Sequence, residues 1–128
     1  MRVSTRACGW IAATLLVLLG LARGIGGVLL LHGGPSVAGS DARPDAPAGL
    51  IGVGLILVGV LCLAGGAATI LRARSALWVG GGALVIFVAG GVTNGILLYG
   101  GPRVGGVVGN VLYASLTSAA LWLGTRRT

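Results

Sequence analysis

The chain has 128 residues, 55% of them hydrophobic and only 9% charged. A soluble domain covers its surface with roughly a quarter charged residues, so this composition excludes an ordinary water-soluble fold. The net charge of +7 would suggest nucleic acid in a soluble protein, but here the arginines flank apolar runs and read as topology signals, so no nucleic-acid partner is expected.

About 20 apolar residues cross roughly 30 Å of hydrocarbon. Four runs meet that requirement, at residues 8–31, 50–71, 76–99 and 104–124, and they use up most of the chain. The expected fold is an all-α membrane protein, a four-transmembrane-helix bundle forming one integral membrane domain over residues 1–128, with the lipid bilayer as its first partner. All nine basic residues are arginine, and with the Ala/Gly/Val/Leu bias this points to a GC-rich, bacterial genome.

Span one follows Arg2 and Arg6 and contains Trp10. A secretory signal peptide competes for this segment, with Gly20 and Ala22 at −3 and −1 of a cut before Arg23. Such a cut would leave GIGGVLLL, too short to span, and would break the even-numbered topology. Gly20, Gly24 and Gly27 share one side of the helix, and Arg23 falls in the same sector. Helices in lipid associate by close packing of small residues, so this sector is expected to face the bundle. Side chains lean toward a helix's N-terminus, here away from the nearer interface. From Arg23 that nearer, outer interface is about 12 Å away and the inner one about 25 Å at 1.5 Å per residue, so placement inside the bundle is expected.

The outer loop, residues 32–49, opens on His32-Gly33-Gly34-Pro35 and holds both acids of the chain, Asp41 and Asp45, with Arg43. Ser, Asp and Pro dominate it, as in an exposed connection. Span two carries Gly52, Gly59 and Gly66 at intervals of seven, a coiled-coil period. A short loop, 72–75, follows with Arg72 and Arg74, and span three opens with Trp78. Gly80, Gly91 and Gly95 are its packing glycines, and Asn94 lies in its outer half.

GILLYGGPRVGG at the end of span three resembles GVLLLHGGPSVAG at the end of span one. Either the chain is two tandem hairpins in a parallel 2+2 repeat, as in some transporters, or Gly-Gly-Pro is simply a helix stop used twice. Span four carries Gly105 and Gly109, then Asn110 and Tyr113 on one face with Gly106 and Thr117; Trp122, Arg126 and Arg127 close it.

Six arginines thus fall on one side of the membrane, against Arg43 and Arg103 on the other. The positive-inside rule therefore predicts an inner-membrane protein with N- and C-termini cytoplasmic. The three tryptophans mark the same side. Cys8 and Cys62 lie at different depths and read as small packing residues.

An intramembrane charge costs at least about 2.5–3.5 kcal/mol, so Arg23 calls for partners. Asn94, Asn110 and Tyr113 are the polar residues at nearby depth, and the four are the candidate ligand-binding cluster. Amides cannot cancel a charge. The counter-charge must come from Asp41 or Asp45 folding inward, or from a lipid phosphate, a carboxylate ligand or a transported anion; alternatively the guanidinium caps backbone and amide groups and fixes helix register. With one histidine and no carboxylate in any span, no metal site, no cofactor and no catalytic set is expected. The two functional readings are a non-catalytic accessory or scaffold protein, able to form a homo-oligomer or join other membrane proteins through glycine stripes, and a membrane carrier or binding protein for a small anion, lipid or quinone-like ligand anchored by Arg23.

Overall fold

Ser4 opens the first helix: its hydroxyl accepts from the Ala7 amide, satisfying one of the unpaired N–H groups of the first turn. In the computed structural model, which describes residues 4–101 and 103–126, helix α1 runs from Thr5–Gly33, followed by a 3₁₀ turn at Pro35–Ala38, α2 at Ala48–Ile70, α3 at Ala76–Tyr99 and α4 at Val104–Thr125. Arg2, Pro102 and Arg127 lie outside the described residues. All four helices are long and apolar enough to cross a membrane, and they form a four-helix bundle. Each differs from its expected span by at most three residues at either end.

Glycines with positive φ end α1 and α3, Gly34 at φ 76° and Gly100 at φ 83°. The end of α2 is different. Ala73 N–H bonds to the Ala68 carbonyl and Arg72 N–H to Thr69, a Schellman cap whose left-handed position, φ 54°, is held by Arg72. A residue with a Cβ loses roughly 1 kcal/mol there, a cost that glycine escapes.

The most extensive helix contact is between α1 and α2. Ala13, Gly20 and Gly27 meet Gly66, Gly59 and Gly52, seven residues at a time down one helix and back up the other. A Cβ on Gly27 would stand 2.5 Å from the Gly52 carbonyl oxygen, and one on Gly59 would stand 2.7 Å from that of Gly20. Backbone lies on backbone along this seam, the close approach that drives association in lipid. Gly65 and Gly80 bring α2 and α3 together in the same way, and Gly9 and Gly124 do so for α1 and α4. Three of the expected packing glycines are placed otherwise. Gly24 contributes its backbone to the Gly59 contact while its own Cβ direction is open, and Gly105 and Gly109 face nothing within 4 Å. They lie on sides of α4 turned away from its neighbours.

The core divides along the membrane normal. Ala12, Leu16, Cys62, Leu84, Phe87, Ala114 and Leu121 belong to a cluster drawn from all four helices, whereas the outer cluster of Leu30, Ile51 and Leu98 has no member from α4. The first buried residue of α4 is Ala114, halfway along it. Both cysteines are buried and free.

Candidate functional site

Arg23 leaves α1 toward the middle of the bundle and is half-buried. Its Nη2 donates to Oδ1 of Asn110 on α4 at 3.2 Å, and its guanidinium carbon lies 4.8 Å from the ring centroid of Phe87 on α3. Phe87 is 3% exposed, so the cation sits over an aromatic face withdrawn from lipid and water. A hydrogen bond to a charged donor contributes about 1.5–3 kcal/mol and a cation–π contact about 0.5–2 kcal/mol. Together these match the insertion cost of the arginine.

Asn110 is seated by Gly91. A Cβ at Gly91 would stand 2.5 Å from the Asn110 Nδ2 atom, so the bare α3 backbone provides the space that lets the amide turn its oxygen toward Arg23. Tyr113, one turn further along α4, packs edge-on against Phe87 with ring centroids 6.3 Å apart. Its hydroxyl donates to the Leu15 carbonyl of α1 at 2.5 Å. That carbonyl already serves the α1 ladder, and its second lone pair receives the tyrosine. Arg23 and Tyr113 therefore tie α1 to α4 at two depths, with Phe87 between them.

The cluster differs from the one expected from sequence in three respects. Among the described residues no hydrogen bond joins Asn94 to Arg23; Asn94 lies a turn beyond Gly91 toward the outer end and is half-buried. Tyr113 reaches the α1 backbone instead of the guanidinium. Neither aspartate is the counter-charge. Asp45 pairs with Arg43 at 3.1 Å and Asp41 pairs with Arg103. The reason is the path of the outer loop. Arg43 N–H bonds to the Leu98 carbonyl at 2.6 Å and the Tyr99 hydroxyl bonds to the Ala38 carbonyl at 2.8 Å, which lays the loop over the end of α3. The Arg103 guanidinium stacks 3.9 Å from the Tyr99 ring, completing an outer clasp well above Arg23. His32, at the same end, is exposed and turned back onto the Val28 carbonyl at 2.9 Å.

Sequence reasoning missed Phe87, although the signal was present. It is the one phenylalanine of the chain, and it shares the 4-and-3 spacing of Gly91 and Asn94 on α3. Among the described residues no three His, Cys, Asp or Glu side chains come together, and no buried side-chain nitrogen or oxygen lacks a hydrogen-bond partner. No protein-family model matches the chain, and no characterised protein or solved structure matches it significantly.

Proposed function

We propose that this chain is a non-catalytic accessory or scaffold protein of a bacterial inner membrane, with both termini in the cytoplasm and Arg23 as an internal latch. One observation carries the reading: the guanidinium spends its contacts on the protein's own Asn110 and Phe87. Such an arrangement adds a polar tie to the Gly9–Gly124 contact in fixing the rotation of α1 against α3 and α4. Gly105 and Gly109, unused inside the bundle, are the small-residue surface available to a second copy or to another membrane protein.

A second reading, binding or carriage of a small anion, lipid or quinone-like molecule at Arg23, draws on a different observation. Both acids are engaged at the outer clasp, so the charge of Arg23 is met by dipoles and a ring but by no carboxylate.

Native mass spectrometry of the gently solubilised protein, wild type against Arg23→Gln, separates the two. The latch reading expects the same bare protein from both chains and a loss of thermal stability in the variant. An anionic molecule that co-purifies with wild type and disappears in an equally stable variant would replace it with the binding reading.

A further inference from the structure

At the end of the bundle where α1 begins and α4 ends, a cavity of about 1020 Å³ opens between the start of α1, the α2–α3 connection and the end of α4. Arg6, Arg72, Arg74 and Arg126 line it, with Trp10 and Trp78 at its sides. Among the described residues no acidic one lines it, and the two acids of the chain are paired at the opposite end. Positive charges gathered around one space favour an anion there. Arg126 also stacks on Trp122, outside the lining, 4.2 Å from the ring centroid.

We infer that this basin is a binding site for the phosphate headgroup of an anionic phospholipid. Two independent features point to an occupant. The first is its setting. Trp78 is 81% exposed and Trp10 54% exposed, as amphipathic rings are at headgroup level. Ile70 and Leu77 continue the wall toward hydrocarbon depth, giving charge above and apolar surface below. Basic pockets between helices at a membrane face recognise lipid phosphates in this way.

The second is the backbone of Arg72. In a chain with 26 glycines, the left-handed cap position of α2 is held by an arginine, although glycine would hold it without strain. A positive-inside signal does not require that residue, because Arg74 supplies charge to the same connection without a left-handed backbone. Strain retained at such a position marks a side chain needed there. The cap aims the Arg72 side chain from the α2–α3 connection, and the cavity is what it lines.

The site is independent of the role of Arg23, and its test uses the full chain in nanodiscs of phosphatidylcholine titrated with tetraoleoyl cardiolipin, read by native mass spectrometry and thermal stability. Wild type is expected to retain cardiolipin over phosphatidylcholine and to gain stability from it. Arg72→Gly relieves the cap, so it is expected to be at least as stable as wild type in pure phosphatidylcholine while retaining cardiolipin roughly fivefold less; Arg72→Gly with Arg74→Gln is expected to lose roughly 25-fold. Equal retention by wild type and the double variant would overturn the site and leave the arginines as topology signals alone. Equal stabilisation by inorganic phosphate without cardiolipin would also overturn the lipid proposal, making the basin a site for a soluble anion.

Discussion

The α1–α2 seam and the outer half of α4 lie in the same bilayer and are both rich in glycine, yet they are packed in opposite ways. Along the seam each glycine lies against backbone: Gly27 on Gly52, Gly20 on Gly59. On the outer half of α4, Gly105 and Gly109 face open space, and no residue before Ala114 is buried. The difference shows that glycine content is not itself a packing signal. The seam works because small residues recur every seven positions on both helices, so that two antiparallel backbones meet at three successive levels. The outer half of α4 has no partner stripe to meet; Asn110, seated at Gly91 and bonded to Arg23, and Arg103 at its N-cap, paired with Asp41, hold it instead.

That contrast can be broken at chosen points. The largest effect is expected at the seam: Gly59→Val forces a branched side chain onto the Gly20 carbonyl, and overpacking of this kind costs about 1–3 kcal/mol or more. Loss of folded protein in detergent extracts, or a steep drop in midpoint of thermal unfolding, is the readout. Asn110→Leu removes the acceptor of the Arg23 guanidinium and is expected to cost about 1.5 kcal/mol, because the donor is charged and stays in the membrane. Gly91→Ala is expected to reproduce part of that loss without touching either partner, since its Cβ takes the space of the Asn110 amide; unchanged stability would show that the amide has other room. Tyr113→Phe deletes the hydrogen bond to Leu15 but keeps the ring against Phe87, an expected cost of about 0.6 kcal/mol for an interhelical bond in a membrane. Gly109→Ala should be the mildest, neutral or slightly stabilising, because nothing opposes the methyl group and alanine favours helix. A large loss there would mean that this face is packed against another copy or another protein.

The positions of the helices were legible in the sequence because the bilayer sets them. Hydrocarbon thickness fixes span length, and glycine, proline and arginine mark the ends, so α3 begins and ends at the expected residues. The rotation of each helix was much less legible. α2 and α3 are apolar on every side, and hydropathy therefore says nothing about which side faces inward. Small-residue period carried that information where two stripes matched, as at Gly52, Gly59 and Gly66, and misled where only one existed, as at Gly105 and Gly109.

The Arg23 site was half readable for a related reason. Depth along each span brings Asn110 and Tyr113 to the level of Arg23, but depth alone does not distinguish Asn94, which is held off, from Phe87, which receives the cation. The aspartate pairings depended on the loop. A backbone bond from Arg43 to Leu98 decides where residues 39–47 lie, and no periodicity in the sequence reports such a contact.

On the latch proposal, Arg23 is satisfied by the protein itself. A double-mutant cycle between Arg23→Gln and Asn110→Leu, measured as unfolding free energy in mixed detergent micelles, tests it directly. The latch predicts a favourable coupling of about 1 kcal/mol between the two positions, within the range for residues in direct contact. Additive effects, with no coupling, would show that Asn110 does not hold the guanidinium and that Arg23 answers to something outside the chain.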